Sequence, residues 1–193
     1  MHTHAKVLPD ITGRAVAALL LLLAVLLADA RVARGGEVIP SVGLTRQVNG
    51  SADTKLYGGI AVRGDLLPVL QDEIAISYRD ETQAGGLLRT RMWPVTASLW
   101  FKPLPLVYAG AGAGWYNITY HYDPRLLGTS VPDETRQRFG VHVGGGLRVP
   151  LAPAATVDLN GRYVMMRNQQ SRLVPEHFDP DFWTATLGLG FHF

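Results

Sequence analysis

Along most of this chain, residues alternate with a period of two, and within the central stretches the charges and glycines share one parity while the other parity is almost wholly apolar. Such alternation sends successive side chains to opposite faces of a strand. The closing stretch, FWTATLGLGFHF at 182–193, shows it plainly. Trp183, Ala185, Leu187, Leu189, Phe191 and Phe193 fall on one face, and Thr184, Thr186, Gly188, Gly190 and His192 on the other. In water, a free strand edge beside an unbroken apolar row invites aggregation. The pattern therefore asks what solvent that row expects.

Seven further stretches carry the same period, with no amphipathic helical stretch of useful length between them. They span 38–46, 55–63, 72–80, 92–101, 107–120, 138–149 and 156–165. In 72–80, Ile74, Ile76 and Tyr78 oppose Glu73, Ala75, Ser77 and Arg79, a face bearing both charge signs. In 107–120, Val107, Ala109, Ala111, Ala113 and Trp115 oppose Tyr108, Gly110, Gly112, Gly114 and Tyr116. Pro94, inside 92–101, cannot donate to a ladder and reads as an edge, end or bulge.

Arg63, Glu73, Arg79, His142, Arg148, Asp158 and Arg162 all fall on the glycine-bearing parity and form the expected interior polar network. A water-soluble barrel or sandwich, such as a lipocalin-like fold, would bury the apolar parity and expose the glycines instead. In lipid every backbone group must be paired, so strands cross only as a closed barrel without edges. Segments near the roughly 9–11 residues needed to cross hydrocarbon fit that geometry. So does the alternation of short proline-bearing turns (around Pro68, Pro103 to Pro105 and Pro150 to Pro153) with longer polar connectors at 49–54, 81–88, 121–137 and 168–181. Trp93, Phe101, Trp115, Tyr163, Trp183 and Phe191 are the expected interfacial girdles. The expected fold is all-β: an eight-stranded antiparallel up-and-down transmembrane β-barrel.

The first 30 residues read differently. A polar start with Lys6 and Arg14 leads into an apolar run from Ala15 to Ala28, shorter than the roughly 20 residues a spanning helix needs. Ala28-Asp29-Ala30 has the small-x-small form of a signal-peptidase site. Residues 1–30 are expected to be a cleaved signal peptide, and 31–193 the barrel domain. The net charge is +2, and no cysteine is available for a disulfide framework in the oxidising compartment beyond. Strand pairing and burial must hold the fold alone.

The signal-like start, YAGAGAGWYN, FGVHVGGGLRVPL, DLNGRYVMM and WTATLGLGFHF together resemble the OmpA/OmpX-like group of small outer-membrane β-barrel domains, over nearly the whole mature chain. The resemblance implies an integral protein of the cell outer membrane, reached by export, with outer-membrane lipid and lipopolysaccharide as surroundings. It implies that Leu187, Leu189, Phe191 and Phe193 match the C-terminal signal read by the barrel-assembly machinery. A periplasmic peptidoglycan-binding domain, which some relatives carry, does not follow the last strand, so cell-wall anchoring is not expected.

Eight strands enclose a lumen just wide enough to be filled by side chains or to hold one small ligand. Gly110, Gly112, Gly114, Gly144, Gly146, Gly188 and Gly190 either leave water-filled space or make room for the interior arginines, and lumen size favours the second reading. GAGAG lies within a strand, lacks dinucleotide-loop spacing and precedes no helix, so it does not read as a phosphate cradle. A lipid A deacylase would need a serine within hydrogen-bond reach of a histidine. Among His121, His142, His177 and His192 no such spacing is visible, the nearest serines being Ser130 and Ser171. Arg125, Arg136, Arg167 and Arg172 read as loop arginines suited to lipopolysaccharide phosphates. No cofactor, metal or nucleic-acid footprint is expected. The chain reads as a monomeric, non-enzymatic barrel acting structurally or through its loops. The alternatives are a narrow pore or small hydrophobic-compound transporter of the OmpW kind and, further off, a lipid A-modifying enzyme.

Overall fold

The structure, a computed structural model, describes residues 35–48, 54–83, 88–122, 133–166 and 181–193. The expected signal peptide lies outside them. The elements are β1 (Gly36–Gln47), β2 (Lys55–Leu67), β3 (Leu70–Gln83), β4 (Leu88–Leu104), β5 (Val107–Tyr122), β6 (Glu134–Ala152), β7 (Ala155–Met166) and β8 (Phe182–His192). Each pairs antiparallel with its sequence neighbour, and β8 closes on β1. Followed from strand to strand, the register runs Glu37, Arg63, Glu73, Ser98, Gly112, His142, Val164, Phe182 and returns to β1 at Gln47. The return falls ten residues beyond the start, and that stagger requires strands tilted against the barrel axis.

The burial pattern is inside out for water. Leu56 is 75% exposed, Val42 64% and Leu187 54%, whereas Arg63 is 2%, Glu73 1% and Asp158 3% exposed. The apolar parity faces outward in every strand, where it suits hydrocarbon and nothing else. Toward the loop end, Tyr78, Trp93, Trp115, Phe139, Tyr163 and Trp183 ring the outer surface; Phe101 and Phe191 do so near the turns. Tyr78 and Phe139 join the expected girdle, Phe139 edge-on to Trp115 at 5.9 Å.

Several strands outrun their sequence signal, β4 and β6 by several residues. There the outward positions are Arg89, Arg91, Thr135 and Gln137, so alternation of polarity fades while backbone pairing continues. Two carboxylates also sit on the outward parity of β3, Asp72 near the turns and Asp80 near the loops, where an apolar band ends. Pro94 neither ends nor edges its strand. The β3–β4 ladder passes from Ile76 opposite Val95 to Arg79 opposite Met92, skipping the proline. Pro94 is buried inside, and the rings of Tyr78 and Trp93, 4.5 Å apart, cover the break outside.

Candidate functional site

The lumen is filled in layers. Near the turn end, Arg148 on β6 bonds Glu37 on β1 and donates to Gln71 Oε1 on β3 at 3.1 Å; Thr156 donates to the same Glu37. Glu37 precedes the expected start of the first strand, which hid its interior position from the sequence.

Above it lies the largest cluster. Arg63 Nη2 sits 2.7 Å from Glu73 Oε2, and its Nη1 2.8 Å from Asp158 Oδ2. Arg162 Nη2 takes the other Glu73 oxygen at 2.7 Å, and its Nε donates to Asn160 Oδ1 at 2.7 Å. Tyr108 donates to Asp158 Oδ1 at 2.8 Å, accepts from Asn160 Nδ2 at 2.9 Å, and lies under the Arg63 guanidinium, 4.7 Å from ring to carbon. Trp100, wholly buried, stacks beneath Arg162 at 5.1 Å. The charges satisfy one another across β2, β3 and β7, which is what makes ions tolerable away from water. Arg63, Glu73, Asp158 and Arg162 are thus brought into one group. Tyr108, Trp100 and Asn160 were legible only as residues of the interior parity, since nothing in sequence marks which of them meet.

His142 stands apart from that group. Its Nε2 is 3.0 Å from Ser98 Oγ, which corrects the expectation that the nearest serines were Ser130 and Ser171. The pair is distant in sequence but adjacent in register, with only Gly112 between them on β5. A Cβ on Gly112 would lie 2.6 Å from His142 Nε2, so the missing side chain is what lets the two meet. His142 Nδ1 has no hydrogen-bond partner among the described residues, so no carboxylate orients the ring. Both residues are buried, Ser98 5% and His142 1% exposed. This pair therefore has neither a carboxylate orienting its histidine nor an opening to a substrate.

The glycine parity serves the same packing elsewhere. A Cβ at Gly190 would collide with Glu37 Oε1.

Toward the loop end the lumen turns apolar. Met92, Tyr116, Ile118, Val164, Met166 and Phe182 pack together with Tyr120 against them. Arg79 does not join the central cluster. It pairs with Glu81 and lies over the Phe182 ring at 5.3 Å, flanking the apolar layer. The layer was not foreseen, because Met92 and Val164 resemble outward residues until register assigns their face.

Arg136 lies within β6, half-buried and opposite Ile118, with partners of its own. It is therefore a strand residue, whereas Arg125, Arg167 and Arg172 fall outside the described residues. Among those described, no group of three His, Cys, Asp or Glu side chains is arranged to hold a metal.

The family model for the outer membrane protein beta-barrel domain matches residues 15–193. The chain belongs to that family. This outer-membrane barrel is similar in fold to a major outer membrane protein from Thermus thermophilus, at 12% identity and TM-score 0.54, covering 82% of this chain and 99% of that one. It is likewise similar to Ail, the attachment invasion locus protein of Yersinia pestis, solved with the heparin analogue sucrose octasulfate (15% identity, TM-score 0.53, 82% and 97% covered). OprG from Pseudomonas aeruginosa aligns at 14% identity and TM-score 0.52 over 83% and 97%. A search of curated proteins found no match. The short turns, the start of β1 and the end of β8 share one end of the barrel, the periplasmic end in outer-membrane barrels, and the longer loops mark the extracellular end.

Proposed function

We propose that this outer-membrane barrel is non-enzymatic, with a sealed lumen, and that it acts structurally or through the surface its extracellular end presents. The observation that carries this is the stacking of two unlike seals, the Arg63-Glu73-Asp158-Arg162 cluster and the apolar layer around Phe182. An ion or small polar solute would have to break buried ion pairs and then cross an apolar layer, each costing several kcal/mol. Against a hydrolase, His142 has a nucleophile but no orienting carboxylate, and both are enclosed. Ail, which shares the fold, is an attachment protein by name, and surface contact is the role this reading assigns here.

The same reading holds residues 1–30 to be a signal peptide cleaved after Ala30. It takes Leu187, Leu189, Phe191 and Phe193 as the signal for the barrel-assembly machinery, lipopolysaccharide as the partner of Arg125, Arg167 and Arg172, and the barrel as a monomer. The test is single-channel recording from purified protein in planar bilayers. The reading expects no steps above baseline; a stable open conductance would sink it in favour of a narrow pore. Export and membrane insertion are tested separately, by outer-membrane fractionation and heat-modifiable migration on SDS gels.

A further inference from the structure

The strongest unassigned feature lies outside the lumen, on the outer face of β4 and β5. Arg89 and Arg91 sit on the outward parity of β4, directly beyond Trp93 toward the loop end. Two residues of strand separate them, about 7 Å, so both guanidiniums project from one face at headgroup height. Their side chains are 50% and 40% exposed. Asp80 on β3 accepts from Arg89 Nε at 3.0 Å and lies 3.8 Å from Arg91 Nε. One carboxylate thus positions two cations and leaves the cluster net positive.

The neighbours across the ladder are polar. Thr119 stands opposite Arg91 and His121 opposite Arg89, with Asn117 opposite Trp93. Thr119 and Thr135 hydroxyls meet at 3.1 Å, and Gln137 donates to Asn117 Oδ1 at 3.1 Å. His121 is paired with Asp133 at 2.6 Å on the far side, away from the arginines' own carboxylate. Asp80 already holds Nε and Nη2 of Arg89, so Arg89 Nη1 and the Arg91 guanidinium, beside hydroxyls and amides, are the groups that suit a phosphorylated sugar.

A second observation lies below the aromatic ring, centred on the same two strands and reaching β3, β6 and β7 on either side. An apolar groove of about 630 Å³ is lined by Ala97, Leu99, Ala111, Ala113, Val141 and Val143 among others, in the middle of the hydrocarbon-facing surface. Its floor is low because alanines replace the leucines and valines found elsewhere on that face. Val95, Trp93 and Trp115 connect the groove to the arginines above it.

We propose that β4 and β5 hold one lipid of the outer leaflet, a glycolipid whose phosphate-bearing headgroup sits on Arg89 and Arg91 while an acyl chain lies in the alanine groove. This rests on the outer-membrane reading above and places the anionic contact on strand residues outside the loops. A phosphate alone would not need the groove, and an uncharged lipid would not need the arginines; only an anionic lipid uses both.

The test is native mass spectrometry of the barrel released from phosphatidylcholine nanodiscs doped with bis-phosphorylated or mono-phosphorylated lipid A. Wild type is expected to retain the bis-phosphorylated lipid at least about fivefold better, a modest value for partly exposed charge pairs. Arg89→Gln with Arg91→Gln removes that preference. Ala111→Leu with Ala113→Leu lowers retention of both lipids and keeps the preference. Arg46→Gln, an exposed outward position on β1, changes neither. An unaltered preference in the double arginine variant, no preference in wild type, or displacement by millimolar inorganic phosphate would overturn the proposal. Heat-modifiable migration of every variant checks folding, so loss of the barrel itself is distinguished from loss of the lipid.

Discussion

Glu73 is the residue on which the interior cluster turns. Its two carboxylate oxygens take one arginine each, Arg63 and Arg162, from strands on either side of the lumen. Replacing it by glutamine leaves Asp158 to Arg63 and takes the one paired carboxylate from Arg162, and breaking a buried pair in this way costs about 3 kcal/mol. Urea unfolding of Glu73→Gln in lipid vesicles is expected to show that loss, and a change below about 1 kcal/mol would mean that water already screens the cluster. Glycines give a paired test. At Gly112 a Cβ would run into the Ala97 carbonyl and close on His142, whereas at Gly161, which faces outward, the nearest atom is 3.9 Å away. Gly112→Ala is expected to lower stability by about 1–3 kcal/mol through overpacking. Gly161→Ala is expected to be neutral or to add a few tenths of a kcal/mol, because glycine in a strand is entropically costly. Equal effects in the same unfolding assay would contradict the packing described for His142.

Among the elements, β8 does the closing. Phe193 N donates to Gly36 O at 3.0 Å and Gly36 N to Phe193 O at 3.3 Å, while the phenyl ring covers Gly36. The His192 side chain contributes a 3.7 Å approach to Glu37 from a partly exposed position, its backbone pairing being untouched by substitution. Deleting Phe193 is therefore expected to reduce the folded, heat-modifiable fraction in outer membranes severalfold, and His192→Ala to leave it nearly unchanged. Equal yields of the two variants would remove the closing role. The strands themselves were legible because Leu187, Leu189 and Phe191 alternate with Thr186, Gly188 and Gly190 without exception. Their ends were less so. At Arg89, Arg91, Thr119 and Thr135 the outward face turns polar while Met92 and Ile118 are turned inward, so the periodic signal is lost though the ladder persists. The same fading concealed the outward arginines, which a parity count carried past Trp93 would have exposed.

For the molecule as a whole, parity decides the solvent. Parity set Arg63, Glu73 and Asp158 on the inner face but gave no sign of which interior side chains would meet, because Ser98 and His142 come together only through the register of β4, β5 and β6, and Arg148 and Glu37 only across the closed tube. The interior apolar layer escaped for the reverse reason: Met92, Ile118 and Val164 carry no polarity to label their face. Because the chain has no cysteine, single cysteines can report each position cleanly. The most direct test is a spin-label scan of residues 109–116 on β5 in reconstituted bilayers, comparing collisions with oxygen, which concentrates in hydrocarbon, and with a water-soluble nickel chelate. Ala109, Ala111, Ala113 and Trp115 positions should collide with oxygen, and Gly110, Gly112, Gly114 and Tyr116 positions should be shielded from both reagents. Nickel collisions at the odd positions, or the loss of any two-residue period, would contradict a lipid-facing barrel with a filled lumen.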